Sequence, residues 1–540
     1  MQDIAEFVGD LLGGAELVAL SLAVGAIVWS LGVLRLGRHR PQGGEAAAAL
    51  AATLLFVGAA SLAVMQGLDL GIKAWVLAAT LGRSPFPAFL HTIQFSAGVT
   101  RVGLAAAVAG AALWLCRDPR SRGRWSAAAI LCALVVVSGA WLTHAESRIE
   151  NRALLMIGTT VHLVAAAAWV GCVLHFLLLW RIKRRASEVA AIWPILLDRF
   201  SVVGITIVLV LVMTGVLLAV PYVNSWRGLI GTSYGAVLLA KIVLLGAALG
   251  LAFMNFRASR RWVRRGDGSA LVTRTPYVVE TEAMLLVALL FAAAALTSQP
   301  PAADTGDATA SPAEVAQIFT PRIPIVTSPS HAAVMADRPT ALTAPAQEMT
   351  AGETWSEYNH NISGVFLVIM AVVALIGLIG HARWTRHWPL GFIGLGFFLF
   401  LRSDPRTWPL GPEPFWLSFT HAEVLQHRLA TALTFVIGGI EWRARGPRAA
   451  GGRLPYIFPF LCLAGGLLLL THSHTNFIVK NLYLIQISHI AMGVFALLMG
   501  CARWLEIRLA PPTSRMAGLG AVAAMLMIGL LLTFYKEPVG

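Results

Sequence analysis

The sequence predicts an all-α, polytopic transmembrane helical bundle of about 14 spans, and three observations carry that prediction. Of 540 residues, 57% are hydrophobic and 13% are charged, about half the charged share of a soluble protein. A water-soluble fold of this size could not hide so much apolar surface in one core. The apolar residues are also grouped into fourteen runs of roughly the 20 residues that cross a bilayer as helix. Finally, Lys and Arg collect in alternate loops, as the positive-inside rule requires.

The runs cover 13–34, 46–66, 91–116, 125–143, 153–180, 200–221, 234–256 and 277–297, then 360–380, 388–402, 421–441, 455–472, 484–502 and 516–534. The first lies behind an acidic N-terminus, MQDIAEFVGD, which lacks the basic flank of a cleavable signal peptide, so it reads as a retained helix. The stretch 69–90 looks too broken to span and reads as re-entrant or interfacial. Between the eighth and ninth runs, residues 298–358 hold eight prolines and no apolar run. They read as a flexible tether between an eight-span domain (1–297) and a six-span domain (359–540).

With the N-terminus outside, the cytoplasmic loops hold 26 of the 41 Lys and Arg residues, and the opposite face holds 11. An even number of spans then places both termini on the periplasmic side. The formal net charge of +14 is therefore a topology signal and not a nucleic-acid footprint, with some inner-leaflet lipid binding implied. Cys116, Cys132, Cys172, Cys462 and Cys501 lie in or beside apolar runs and none forms C-x-x-C, which excludes a disulfide framework and a thiolate relay.

Ionisable residues within spans are costly and mark function by default. On this topology ten of the fourteen histidines fall on the outer side. The six-span domain is densest: His360 opens it, His421 and His427 share one span with Glu423 a turn before His427, His472 and His474 end the next, and His489 lies near the start of the one after. Imidazole suits copper, zinc and iron alike. The i, i+2 spacing of His472 and His474 lets both ligate only where the helix frays. A second reading places haem b between His427 and His489, each five or six residues into its span. In the front domain, His144 ends one span and His162 enters the next, with Trp169 on the same face; His162 serves either as a ligand or as a hydrogen bond to a neighbouring helix. Arg101, half-way along its span, demands a carboxylate, a carbonyl or water. Glu280 reads as a solvated interfacial residue, and the fourteen methionines as packing. There is no G-x-x-x-x-G-K-[ST] and no loop long enough for a nucleotide domain.

Five segments in order, HLVAAAAWVGCVLHFLLLW (162–180), RFSVVGITIVLVLVMTGVLLA (199–219), TSYGAVLLAKIVLL from Thr232, MNFRASRRW (254–262) and VETEAMLLVALLFAAAALTSQPP (279–301), resemble the copper resistance D (CopD) family of bacterial inner-membrane proteins. Two departures stand out: Cys172 replaces the usual second glycine, and the family's Asn-Arg pair is split as Asn255, Phe256, Arg257. The resemblance implies copper transport or resistance, with copper passing from a periplasmic donor, a copper chaperone for instance, into or across the cytoplasmic (inner) membrane. It makes His144 and His162 leading ligand candidates and implies a transporter, not an enzyme. The six-span domain carries no such resemblance.

Overall fold

The computed structural model describes residues 2–35, 44–82, 86–183, 187–336, 349–380, 382–446, 452–471 and 479–538. Fourteen helices correspond to the fourteen runs: α1 (Gln2–Val28, prolonged by a π turn Trp29–Val33), α2 (Gly44–Leu81), α3 (Ile93–Arg117), α4 (Arg122–Ala140), α5 (Arg152–Lys183), α6 (Ser187–Val223), α7 (Ser233–Arg265), α8 (Thr275–Ser298), α9 (Ala351–Gly380), α10 (Leu390–Arg402), α11 (Ala422–Ala444), α12 (Ile457–Leu470), α13 (Val479–Arg508) and α14 (Thr513–Thr533). No strand occurs among the described residues. Eleven of the helices are long and apolar enough to cross a membrane. Of the other three, α10 and α12 have only 13 and 14 residues, and α11 carries charges along its length. The protein is thus an all-helical, multi-pass membrane protein.

One expectation fails. Residues 69–81 continue α2 as one unbroken helix of 38 residues. Within it the Asp69 and Lys73 side chains pair with each other at i, i+4, 2.8 Å apart, so their charges are met on the helix itself.

Faces explain the arrangement. On α6, Val202, Ile205, Leu209, Met213, Val216 and Val220 are all exposed and recur every three or four residues, a stripe with no protein partner that suits lipid. Helix α1 packs against α2, α5 and α8 at the centre of the front half, whereas α9 lies along α14, and α14 along α13. Gly25 of α1 and Gly171 of α5 meet backbone to backbone, and Gly364 of α9 admits the Thr533 amide of α14 in the same way; small residues let spanning helices approach this closely. Helix α7 stops where Gly266 takes a left-handed conformation (φ +68°) and bonds back to the Trp262 carbonyl.

The halves are not independent. Tyr483, Leu484, Leu497 and Trp504 of α13 belong to the apolar core of the front half, whereas Met492, Ala496 and Met499 of the same helix belong to that of the back half. Polar ties fix the contact at both ends of α13. Ser233 bonds Gln486 at 2.7 Å and Tyr483 bonds the Ile230 carbonyl. At the other end Arg508 grips Glu280.

The described part of 298–358 is built and docked, not a bare tether. Ser311 and Glu314 form a capping box that starts a short helix, Pro312–Phe319. Arg148 pairs with Asp304 at 2.8 Å, the Ala310 amide bonds the Gly231 carbonyl at 2.9 Å, and Lys480 pairs with Glu314 at 2.8 Å. The Lys480 ammonium, with the Ser311 amide and hydroxyl, holds the Glu314 carboxyl at about 2, below its ordinary 4.5. A depressed carboxylate stabilises the folded state fully above its ordinary value, and that stability drains away as pH falls through the folded one. Protease cleavage of this segment is therefore expected to stay constant from pH 7 to about pH 5 and to rise between about pH 4 and pH 2. In Lys480→Met cleavage should already be faster at pH 7 and its rise below about pH 4 smaller; coincident profiles would show that the pair does not dock the segment.

Candidate functional site

The outward-reading end of the back half gathers three rings. The reciprocal Thr350–Glu353 bonds start α9 and put His360 about two and a half turns along it. There its ring stacks on Tyr535, which follows α14, at 4.0 Å between centroids and 24°. His489 of α13 meets His360 edge to face at 5.4 Å and Tyr535 at 5.9 Å. His489 is buried. Tyr535 and Ser356 both donate to Glu537, at 3.1 and 2.6 Å. Asn361 joins the layers, donating to the Leu532 and Tyr535 carbonyls and accepting from the Ile325 amide at 2.7 Å. Arg322 of the docked segment pairs with the buried Glu357 of α9. Residues far apart in sequence thus close around His360.

The tautomers follow from the partners. His360 Nδ1 lies 2.8 Å from the Ser356 carbonyl, and His489 Nδ1 lies 3.0 Å from the Ile485 carbonyl. A carbonyl only accepts, so each Nδ1 carries a proton, and in the neutral ring each Nε2 then holds the lone pair. Fixing one nitrogen as donor is how proteins prepare the other as a metal ligand. At His427 of α11, Nδ1 donates to Asp404 at 2.8 Å. Arg428 braces the turn that carries Asp404, donating to the Phe400 carbonyl, the Thr407 hydroxyl and the Trp408 carbonyl. His162 of α5 has Nδ1 3.0 Å from the Thr214 hydroxyl, whose own proton goes to the Val210 carbonyl at 2.7 Å; its Nδ1 is again the donor. His331 is the exception, because its Nε2 lies 2.8 Å from the Pro405 carbonyl and must donate.

The other candidates are dispersed. His421 is exposed at the N-cap of α11. The His144 side chain, His472 and His474 lie outside the described residues; Thr471, which precedes His472, accepts from Gln426 of α11 at 3.2 Å. The two residues of the haem pair have different neighbours: His427 meets Asp404, and His489 meets His360 and Tyr535. Among the described residues no three His, Cys, Asp or Glu side chains are gathered as a metal-binding group.

Three buried charges of the front half have polar partners. Arg101 finds Glu16 at 3.3 Å and Gln66 at 2.8 Å, the carboxylate its position demanded. Trp169 and Asn255 both donate to the buried Glu282, at 3.1 and 2.8 Å. The reading of Glu280 as a solvated interfacial residue is corrected: it is buried, bonded to Arg508 at 2.9 Å and to the Trp504 indole at 3.0 Å. Its partner lies 228 residues away, which no local pattern reveals. Sequence reasoning also passed over Tyr535, Glu537 and Asp404. The polar tail YKEPVG was visible, but its return to α9 was not.

Residues 194–296 match the family described as copper resistance protein D. The copper transport protein CutJ of Bacillus subtilis (strain 168) is 29% identical over 180 residues, which are 33% of this chain and 31% of that protein. The matched region spans about a third of the relative's length. No solved structure matches the chain.

Proposed function

We propose, from a front half that belongs to the copper resistance protein D family, that this membrane protein transports copper or confers resistance to it by capturing the ion on histidines at one end of the bundle. In this reading that end faces the periplasm of the inner membrane, which the excess of Lys and Arg in the opposite loops supports. The observation that carries the reading is the pair His360 and His489, side by side with both Nδ1 atoms pinned to carbonyls. Their Nε2 lone pairs suit copper. His421, His427, His472 and His474 complete the back-half set, with Asp404 orienting His427. His144 and His162 serve the front half, and a periplasmic copper chaperone supplies the ion. A monovalent cation entering a negative-inside cell gains about 2.3 kcal/mol per 100 mV, so uptake needs no nucleotide. The protein acts as a transporter, not an enzyme.

The test is copper per protein after loading and washing the purified full chain, wild type against His360→Ala/His489→Ala. Removing two ligands is expected to weaken copper retention by more than the roughly 10–100-fold lost with an outer-shell partner, with helical circular dichroism unchanged. Undiminished copper would move the site to His144 and His162 and overturn the back-half assignment. A Soret band without copper would identify haem b on His427 and His489 instead.

A further inference from the structure

At the opposite end of the back half, a half-open cavity of about 410 Å³ lies between α9, α12, α13 and α14. Its inner wall is apolar, lined by Phe458, Met499, Ala521, Val522 and Met525. Its rim is cationic: Arg383 and Arg386 from the turn after α9, Arg445 from the end of α11 and Arg503 from α13. Two carboxylates stand against these four guanidiniums, and both are spoken for. Glu441 holds Arg445 and Arg503 at 2.8 and 2.9 Å, and Glu506 holds Arg503 at 2.8 Å. Arg383 and Arg386 have no carboxylate partner among the described residues; Arg386 reaches only His387, at 3.1 Å. The Arg503 Nε is buried without an acceptor.

A pocket that is basic at its mouth and apolar within fits an amphiphile with an anionic head. The mouth lies at the basic end of the bundle, where an inner leaflet would place phosphates. Ile376 and Ile379 of α9 and Met516 and Leu519 of α14 are exposed beside it, so an acyl chain leaving the cavity would run onto surface already suited to lipid. Guanidinium is the group that holds a phosphodiester by two parallel bonds. We propose that this cavity is a binding site for an acidic phospholipid, with Arg383 and Arg386 holding the headgroup phosphate, Arg503 Nε as a further donor and the acyl region against Met499 and Met525. The site is separate from the histidines and does not depend on the copper reading.

The full chain in nanodiscs of equal phosphatidylglycerol and phosphatidylcholine, released and weighed by native mass spectrometry, tests this. The wild type is expected to retain phosphatidylglycerol preferentially. Arg383→Gln/Arg386→Gln should lower that preference about thirtyfold, from about 1 kcal/mol for each basic residue. Arg383→Lys/Arg386→Lys, which keeps the charge, should lose far less. Equal retention of the two lipids by the wild type would overturn the proposal. So would displacement of the retained lipid by millimolar inorganic phosphate, which would identify a site for the free anion. Should the Gln variant fail to fold, Ala521→Trp, which fills the apolar wall and leaves every arginine, must also reduce retention; unchanged retention there would equally overturn it.

Discussion

Arg508→Ala is expected to destabilise the folded protein by about 3 kcal/mol, at the low end of the range for breaking a buried ion pair. Glu280 keeps only 7% of its side chain exposed and Arg508 keeps 19%. The guanidinium covers the carboxylate through Nε and Nη2 at 2.9–3.1 Å and lies over the rings of Tyr277, Tyr456 and Trp504. Its removal strands a carboxylate inside the contact between the halves, with only the Trp504 indole at 3.0 Å left to it. The low end applies because Arg508 is partly solvated, which weakens its attraction for Glu280. Glu280→Gln in the same chain should recover much of the loss, since a neutral amide can still accept from Trp504. Thermal or denaturant unfolding in detergent measures all three variants and closes a double-mutant cycle. A loss below about 0.5 kcal/mol would mean the pair behaves as an ordinary surface bridge. The effect should also reach function, because α13 carries both Arg508 and His489. A chain that loosens at the α8–α13 contact should lose copper less sharply than the His360→Ala/His489→Ala chain, but in the same direction.

The same contact shows how much was legible beforehand. Fourteen apolar runs predicted fourteen helices because an apolar run announces itself by length and composition alone, and eleven of those helices are long and apolar enough to cross a membrane. The demand of Arg101 for a carboxylate, a carbonyl or water was readable for a related reason: an unmatched charge within a span is too costly to leave. Its identity was not readable, since Glu16 lies 85 residues away and nothing in a single sequence pairs the two. Residues 69–81 read as broken, whereas in the helix Asp69 and Lys73 neutralise each other across one turn. Proline content argued for a flexible linker, yet the docked segment draws its stability from ties to Lys480, Arg148 and Asn361, all supplied by other elements. At the candidate site the histidines were visible as a periodic excess at one end. The features that prepare them were not, since the backbone carbonyl that fixes a tautomer carries no signature and the Tyr535 ring arrives only by folding.

The α1–α5 crossing sets a larger effect still. A Cβ at Gly171 would overlap the Ser21 carbonyl oxygen and lie 2.6 Å from Gly25 Cα, and a Cβ at Gly25 would lie 2.5 Å from Gly171 Cα. Every atom met is backbone, so no side chain can turn aside and the helices must part. Parting them opens the core where Leu20, Val24, Ala168 and Val173 are buried and separates the His175 ring from Trp29, now stacked at 5.7 Å. Gly171→Val is expected to cost more than about 4 kcal/mol, enough to leave little folded protein. Gly246 on α7 supplies the control, because a Cβ there meets nothing within 4 Å. Gly246→Ala should be neutral or stabilising by up to about 1 kcal/mol through helix propensity alone. Yield of monodisperse protein and thermal unfolding distinguish the two, and equal behaviour would show that the crossing is not in contact. Helix α5 also carries His162 and Trp169, which bond Thr214 and Glu282 on other helices. The milder Gly171→Ala should therefore shift α5 and disturb the His162–Thr214 and Trp169–Glu282 bonds while leaving the His360–His489 pair intact. That backbone contact ties α1 to α5 at the centre of the front half.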